Sequence, residues 1–374
     1  MAILVVNPGS ETTKFEVFES DLSSIVSGKI YTNDGKFLID LQDETKEITK
    51  EEFENPVGLI QSHLTGPVEK IGFRIVHGGE KYFEPTLLSE DVINDLEKLN
   101  DLAPLHNPPA IKIIKQFSEV FKDSALIGVF DTAFHHDMPK AAFMYALPYE
   151  FYEKYKIRRY GFHGISVKYV IHELQRLDSN LKKTIVCHLG GGSSITAVEN
   201  GKSIDTSMGF TPLEGVMMAK RAGSVDDGVI PFLNKTIKMS LEEIMRIENN
   251  ESGLLGVSGK TGSMRELLEL KDDERASLAV EMYVYQIQKQ IGAYIAALNG
   301  IDGLVFSGGV GEGSDEIRKR ICEKLGFAGV SIDDSKNDAQ IDVAQNLKIS
   351  KGESKSVWVI PTNEEIQIAR EISS

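Results

Sequence analysis

Residues 185–196 read IVCHLGGGSSIT, an apolar run that breaks at three consecutive glycines and two serines before apolar residues resume. Apolar runs bounded by glycine and serine predict two β-strands joined by a turn. Glycine has no Cβ, so backbone N–H groups in such a turn can approach a ligand closely, and serine hydroxyls add donors. The segment therefore predicts either a tight hairpin or a turn that binds phosphate.

The same pattern occurs near the amino terminus. Residues 3–6 are apolar, residues 7–10 read NPGS, and residues 15–18 form a second strand-like run. In both copies a third short strand-like segment follows, at residues 27–30 and 202–204. This weak internal repeat predicts two domains that each begin with strand, turn and strand. Two such turns facing one cleft would hold a phosphate chain between them.

The remaining chain alternates helical and strand-like segments, which favours an α/β protein. An acidic segment at residues 32–54 predicts a peripheral insertion or hairpin. Helical spacing of apolar residues predicts helices at 89–99, 108–121, 166–177, 314–325 and, as the longest, 273–298, and strand candidates lie at 125–130, 304–306 and 357–360.

Length and composition restrict the class of protein. A chain of 374 residues favours two domains with separate cores. The formal net charge of -15 repels nucleic acid, so an anionic substrate must be held by local cations. Cys187 and Cys322 lack metal-ligand spacing and are expected to be reduced core residues, which favours the cytoplasm. We expect no secretory signal and no membrane span, since no run reaches about 18 apolar residues.

A third glycine segment, residues 307–313, follows a predicted strand and precedes a helix that Ser314 would cap. This order suits nucleotide phosphates, because helix N-termini carry unpaired N–H groups. The segment matches neither GxGxxG nor the Walker lysine pattern, which disfavours Rossmann and P-loop folds. His163 also lies just ahead of a predicted helix, where an anion is favoured.

Isolated charged residues are weaker indicators. Arg74 and Asp131 follow predicted strands, and Arg221 follows an apolar segment. Taken alone, an arginine is usually a surface cation, and such an aspartate is usually a helix or turn cap. Near the carboxyl terminus, Thr362 and Glu365 fit a T-x-x-E capping box. That assignment leaves Glu364 as the candidate metal ligand.

Nine segments taken in order are similar to the acetate kinase, or acetokinase, family: VNPGSETTK, FRIVHGGE, PLHNPP, FDTAFH, YGFHG, HLGGGSS, DTSMGFTPLEGVMM, SGGVGE and PTNEE. The resemblance implies an α/β fold of the acetate and sugar kinase, Hsp70 and actin superfamily, with two duplicated ribonuclease-H-like domains and an interdomain active-site cleft. The domains would be residues 1–132 plus 365–374, and the nucleotide-binding residues 133–364.

The resemblance further implies reversible, direct in-line transfer of the γ-phosphoryl group of ATP to acetate, which yields acetyl phosphate and ADP. It implies Mg²⁺ as the metal, with Mn²⁺ as an alternative, and a homodimer with no nucleic-acid or membrane partner. Asp131, Arg74, Arg221 and His163 would be catalytic. In these roles the arginines neutralise phosphoryl oxygens, His163 donates to the phosphoryl group, and Asp131 orients acetate.

Other matched positions would bind substrate, metal and nucleotide. Arg74 would bind the acetate carboxylate, His106 and His188 would support His163, and Asn7 and Glu364 would hold the metal. Val76, Leu105, Phe162 and Pro212 would form the methyl pocket. The nucleotide would contact Ser10, Thr12, Lys14, His188, Gly190, Gly191, Gly192, Ser263, Met264, Arg265, Gly309, Val310 and Gly311.

Two positions depart from the family pattern on the nucleotide side. Gly191 stands where the family usually carries asparagine, and Ser263 stands where it usually carries aspartate. ATP is the expected donor, with another nucleotide or pyrophosphate as alternatives. Propionate or butyrate are alternative acceptors. From a different class of protein, a nucleotide-binding sensor of the same fold is the alternative.

Overall fold

The computed structural model describes residues 2–9, 12–41, 44–103, 106–338 and 345–373. Its β-strands are β1 (Ala2–Pro8), β2 (Thr12–Phe18), β3 (Ser24–Asn33), β4 (Lys36–Leu41), β5 (Glu44–Glu47), β6 (Val68–Ile75), β7 (Thr86–Leu87), β8 (Ala125–Phe130), β9 (Lys183–Leu189), β10 (Ser193–Glu199), β11 (Lys202–Thr206), β12 (Gly303–Ser307), β13 (Leu347–Lys348) and β14 (Ser356–Val359).

The α-helices are α1 (Lys50–Glu54), α2 (Val57–Gln61), α3 (Glu90–Glu97), α4 (Asn107–Val120), α5 (Lys140–Phe143), α6 (Tyr149–Tyr155), α7 (Gly164–Leu177), α8 (Val229–Phe232), α9 (Leu241–Asn250), α10 (Gly253–Ser258), α11 (Met264–Glu269), α12 (Glu274–Ala297), α13 (Gly308–Gly313), α14 (Asp315–Cys322) and α15 (Glu364–Ser373). Short 3₁₀ turns lie at Asn100–Leu102, Ala133–His135 and Gly326–Ala328, and a π-helical turn lies at Leu233–Ile237.

The two sheets share a five-stranded core built in the same order. The first sheet contains β3-β2-β1-β6-β8, flanked by β4 and β5 at one edge and by β7 at the other. The second contains β11-β10-β9-β12-β14, followed by β13. In each core the first three strands pair antiparallel, and the remaining two continue parallel to the first. The predicted repeat is confirmed: the fold consists of two α/β units with duplicated ribonuclease-H-like topology.

The chain divides into two compact units. Unit 1 comprises Met1–His136, Gly164–Ser166 and Asn363–Ser374, and unit 2 comprises Asp137–His163 and Val167–Thr362. In unit 1 the main core packs Phe73 of β6 against Phe117 of α4. In unit 2 the core forms around α12, whose buried apolar face packs with residues of β9 and β12. The predicted boundaries of the functional domains stay a prediction.

The carboxy-terminal helix α15 packs on the sheet of unit 1. Its buried residues Ile368 and Ile372 lie against Gly72 of β6, in a layer with Ile3 and Val5 of β1. At its far end, Lys70 Nζ donates a 2.6 Å hydrogen bond to the carbonyl of Ile372. A cation at this position stabilises the unpaired carbonyls of a helix C-terminus.

The predicted helices and strands are present, and residues 32–54 contain the β4–β5 hairpin and α1. Two predicted irregular segments differ. The NPGS segment is not a break at Asn7, because β1 continues through Pro8; pairing with β6 ends at Val6, so the missing proline N–H is not needed on that side. The glycine segment 308–313 is not a loop but the short helix α13.

Gly308 permits the change from β12 to α13. Its φ of +76° lies in the left-handed region, and a Cβ there would stand 2.7 Å from the Leu189 carbonyl oxygen. Only glycine satisfies both conditions. Among the residues that the structure describes, no helix has the length and apolar character to cross a membrane.

We expect Gly72→Ala to destabilise unit 1. The added Cβ would lie 2.6 Å from Ile368 Cγ2 and 2.8 Å from Ile372 Cδ1, so α15 must move. Overpacking of this kind costs about 1–3 kcal/mol of unfolding free energy, measured by urea denaturation. Gly58→Ala in α2, where no atom lies within 4 Å of the new Cβ, is the matched control. Equal stability of the two variants would contradict the proposed packing of α15.

Candidate active site

Polar side chains collect at one edge of the sheet in unit 1. Asn7 lies near the end of β1, Arg74 lies near the end of β6, and Asp131 directly follows β8. These three strands are parallel neighbours, so their carboxyl ends meet at the same edge. Helix α15 begins there with Glu364. Four residues that lie far apart in sequence therefore meet in one cluster. Two of them, Arg74 and Asp131, are the predicted strand-end residues, and the other two are the predicted metal ligands.

Arg74 is the central cation of this cluster. Its Nε and Nη2 donate to Asp131 Oδ2 at 2.9 and 2.6 Å, and its Nη1 donates to Asn7 Oδ1 at 3.3 Å. Glu364 Oε2 lies 3.6 Å from Nε. These contacts fix the plane of the guanidinium, because Arg presents its donors in a rigid fork.

The Asn7 amide holds two carboxylates together. Its Nδ2 donates to Glu364 Oε2 at 3.0 Å and to Glu365 Oε1 at 2.8 Å. The predicted T-x-x-E capping box is therefore wrong: Glu365 is directed at Asn7. Instead Asn363 Oδ1 accepts a 3.0 Å hydrogen bond from Ile366 N at the start of α15. The cap residue is one position later than predicted, so Glu365 is available to the cluster alongside Glu364.

The pKa values of Asp131 and Arg74 are both raised, but the causes differ. Burial raises the pKa of Asp131, and Glu364 adds to the rise, whereas Arg74 opposes it. Burial would lower the pKa of Arg74, but Asp131 and Glu364 outweigh it and raise the pKa above its ordinary value. The guanidinium is thus a permanent positive charge in an otherwise acidic protein.

The donor set around Asn7 fits Mg²⁺. Carboxylate and amide oxygens are the ligands that Mg²⁺ prefers, and it usually binds one or two carboxylates together with water and phosphate oxygens. Within the described ranges, no group of three or more His, Cys, Asp or Glu side chains could enclose a metal ion. The residues therefore suit a metal that phosphate helps to hold, and Asn7 and Glu364 are the side chains that would bind it.

Unit 2 contains a second cluster around the glycines of the opening segment. His163 precedes α7 in a left-handed conformation, with φ of +59°, and its Nδ1 lies 3.0 Å from Ser194 Oγ. Its ring stacks on His188 at a centroid distance of 4.2 Å. A Cβ at Gly192 would stand 3.2 Å from His163 Nε2 and 3.8 Å from Arg221 Nη1. Two predicted catalytic residues of unit 2 therefore flank the same glycine turn.

A cavity of about 960 Å³ in unit 2 is lined by predicted nucleotide contacts. Its walls include apolar residues such as Leu254 and Leu268 and charged residues such as Glu269 and Arg320. Seven of the predicted contacts line it: Gly190, Gly191, Ser263, Met264, Arg265, Gly309 and Val310. Of the other predicted contacts in unit 2, His188, Gly192 and Gly311 are absent from the lining.

The two departures from the family pattern have different structural contexts. Ser263 is the cap of α11, where its hydroxyl accepts from Glu266 N at 3.4 Å, and aspartate serves equally well as a cap. Gly191 is exposed, and no atom lies within 4 Å of a Cβ built there. The packing at position 191 would therefore admit a larger side chain.

The remaining predicted residues are distributed over both units. Val76 is buried directly after β6, His106 precedes α4, Thr12 opens β2, and Lys14 Nζ lies 4.0 Å from Glu365. Phe162 is buried in unit 2, where Pro212 follows β11. The predictions at Ser10 and Leu105 fall outside the described residues. Sequence reasoning missed the role of Glu365 and the charged wall of the cavity, which carries no motif.

Comparison with known proteins identifies the family. The model of the acetokinase family matches residues 2–370. The chain belongs to the acetokinase family. Among its relatives, the acetate kinase of Halothermothrix orenii is 41% identical, over 99% of this chain and 98% of the relative.

Solved structures of acetokinase relatives share the whole fold. The crystal structure of Porphyromonas gingivalis acetate kinase is 37% identical and covers 99% of this chain, with a TM-score of 0.89, and 98% of that chain is covered. A propionate kinase from Francisella tularensis has the same identity and the same coverages, with a TM-score of 0.91. Solved structures with this fold thus include one kinase named for acetate and one named for propionate.

We expect Asp131→Ala to destabilise the acetokinase fold through Arg74. The substitution removes the acceptor of two Arg74 hydrogen bonds and leaves a buried cation with less compensation. Breaking such a pair costs about 3 kcal/mol of unfolding free energy, measured by urea denaturation.

The matched control is Asp95→Ala in α3. Asp95 forms ion pairs with Lys81 and Lys98, whose side chains are 70% and 74% exposed. Water screens these pairs, so this variant should lose only a small part of the stability that Asp131→Ala loses. A loss as large for Asp95→Ala would show that burial of the Arg74 pair is unimportant.

Proposed function

We propose that this acetokinase is an acetate kinase, which transfers the γ-phosphoryl group of ATP reversibly to acetate with Mg²⁺. The observation that carries the proposal is the Arg74 cluster. A buried guanidinium, an aspartate and two glutamates meet at the ends of three parallel strands, in a chain whose family match extends over residues 2–370.

The Arg74 cluster suits an anionic acceptor. Acetate is a carboxylate at neutral pH, so it needs an opposing charge and an orientation rather than a strong base. Asp131 occupies Nε and Nη2 of Arg74, which leaves the longer 3.3 Å contact of Nη1 with Asn7 as the one most readily replaced. In this proposal Nη1 receives the acetate carboxylate, and Asp131 sets the angle at which the guanidinium presents it.

The reaction requires alignment of acetate with the γ-phosphoryl group and neutralisation of the phosphate charge. An acetate oxygen forms a bond to the γ-phosphorus while the bond from that phosphorus to the bridging oxygen breaks in line, and ADP leaves with the electron pair. No proton is transferred. In this proposal Arg74, Arg221 and His163 neutralise the charge on the phosphoryl oxygens. When bound through Asn7 and Glu364, Mg²⁺ supplies further neutralisation of phosphate charge.

The cavity in unit 2 supports a nucleotide donor over pyrophosphate. Its volume of about 960 Å³ accommodates a ligand far larger than two phosphates, and Leu254, Met264 and Leu268 give it apolar walls. Apolar walls contribute to binding a base but contribute nothing to binding pyrophosphate. ATP is therefore the proposed donor, and pyrophosphate is the alternative that an assay must test.

Propionate is the second candidate acceptor, favoured by the solved propionate kinase with a TM-score of 0.91. One methylene group changes binding in an apolar pocket by only about 1–3 kcal/mol, so the two acids differ in degree. The resemblance also leads us to propose a homodimer, whereas the cytoplasmic location stays a prediction from the sequence.

We expect the purified protein to form acetyl hydroxamate from acetate, ATP, Mg²⁺ and hydroxylamine. Removal of Mg²⁺ with EDTA should abolish the product, and propionate should give a lower kcat/KM than acetate, by about 10- to 200-fold. Butyrate and pyrophosphate complete the acid and donor panels. Activity with pyrophosphate but not ATP would overturn the donor assignment. No hydroxamate with any donor at high enzyme concentration would favour a nucleotide-binding sensor.

Replacement of either predicted catalytic arginine should reduce the turnover of the folded protein, in addition to the loss of stability that Arg74→Ala shares with Asp131→Ala. Loss of a preorganised group that stabilises transition-state charge costs about 3 kcal/mol, or roughly 100-fold in kcat. We expect this loss for Arg74→Ala and for Arg221→Ala in steady-state kinetics. Arg246→Ala, which removes an exposed arginine of α9, is the control. Retention of full kcat in both active-site variants would exclude the proposed phosphoryl contacts.

A further inference from the structure

A half-buried polar cluster in unit 2 holds the loop that follows β11. We call Tyr145, Arg159 and Glu214 the loop clamp. Arg159 Nη2 donates to Glu214 Oε1 at 2.5 Å, and Tyr145 Oη donates to Glu214 Oε2. The same Tyr145 oxygen accepts a 2.8 Å hydrogen bond from Phe210 N. Glu214 thus joins two side chains from a different part of the chain to the far end of the loop.

Arg159 also holds the near end of this loop. Its Nη1 donates to three consecutive carbonyls, those of Thr206 at 3.1 Å, Ser207 at 2.9 Å and Met208 at 3.0 Å. Between the two ends, a Cβ at Gly209 would overlap Glu214 Oε2 and Tyr145 Oη. A close approach of this kind is open only to glycine. The clamp therefore fixes residues 206–214 from both ends.

The clamped loop carries and contacts predicted site residues. The carbonyl of Pro212, within the loop, accepts a 2.9 Å hydrogen bond from Arg221 Nη1. The carbonyl of Gly209 accepts from Tyr160 N at 3.0 Å and from Gly161 N at 3.3 Å. These two donors directly precede Phe162 and His163. A displacement of the loop would therefore move both a wall of the proposed methyl pocket and the side chains proposed to contact the phosphoryl group.

The chemistry of the clamp favours precise positioning over bulk stability. Burial raises the pKa of Tyr145, and Glu214 raises it further, so the phenol remains a donor at any physiological pH. Burial alone would lower the pKa of Arg159, but Glu214 and Tyr145 together with Tyr294 raise it above its ordinary value. Well-packed apolar residues often stabilise a protein as much as an ion pair removed from water does. They could not, however, fix a loop through directional hydrogen bonds.

We propose that Tyr145, Arg159 and Glu214 are positioning residues that set the width of the acceptor pocket at Pro212 and the orientation of Arg221. They thereby govern which short carboxylic acid the enzyme accepts. This inference rests on the proposed function, since it assumes that Pro212 borders the acid. None of the three residues was among the predicted site residues, because their effect is exerted through a backbone loop.

The test uses Glu214→Gln and Tyr145→Phe in the full chain. Each variant removes part of the clamp, and Tyr145→Phe does so without changing charge or volume greatly. We expect the KM for acetate to rise about tenfold and the propionate-to-acetate ratio of kcat/KM to change by a similar factor. The KM for ATP should stay within about twofold of the wild type, since the donor cavity is formed by other residues.

Tyr31→Phe is the matched control, because it removes a 3.1 Å hydrogen bond to Asp40 in unit 1 and leaves the loop intact. Thermal unfolding of every variant separates positioning from stability. The double variant Glu214→Gln/Tyr145→Phe should change the acid ratio by less than the sum of the two single effects in free energy, since both substitutions break the same hydrogen bond. An unchanged acid ratio in Tyr145→Phe would overturn the inference, as would an equal loss of kcat on all acids. A wild-type protein that phosphorylates no acid would instead overturn the proposed function.

Discussion

The site in unit 1 depends on one buried cation. Arg74 contacts Asp131, Asn7 and Glu364, and its pKa is raised because the nearby carboxylates, Asp131 and Glu364 above all, outweigh burial. A protein with a net charge of -15 offers no general attraction to anions. The charge needed to bind one must therefore be local and permanent, and a guanidinium held by carboxylates meets both conditions.

The two units share a duplicated topology but carry different functional side chains. Each sheet has the same central strand order, and in each the functional groups lie at or beyond strand ends. In unit 1 these groups are an arginine, an asparagine and carboxylates, which suit a small anion and a metal. In unit 2 they are glycines, histidines and a large cavity, which suit an extended ligand. The shared topology positions the groups, and the side chains decide what each unit binds.

The sequence was sufficient for the repeat, the strand ends and the identity of most cluster residues, because these follow from local apolar patterns and family motifs. It failed where a tertiary contact overrode a local pattern. The T-x-x-E pattern at Thr362 and Glu365 fits a capping box, yet Glu365 pairs with Asn7, 358 positions away. The glycine segment 308–313 resembles a loop, yet its backbone is helical after one left-handed residue. The charged cavity wall from α14 carries no motif. The loop clamp joins Glu214, which lies in a family motif, to Tyr145 and Arg159, which lie in none, so only the fold reveals the contact.

The position of α15 in the chain affects how the protein matures. This helix supplies two acidic members of the Arg74 cluster, yet it is made more than 200 residues after β8, the last strand of that sheet. Domains generally fold in the order of their synthesis. A nascent chain on the ribosome can thus assemble the sheet of unit 1 early, but Arg74 lacks both glutamates until α15 has been made. The Arg74 cluster is therefore complete only after α15 has packed on a sheet that was made much earlier.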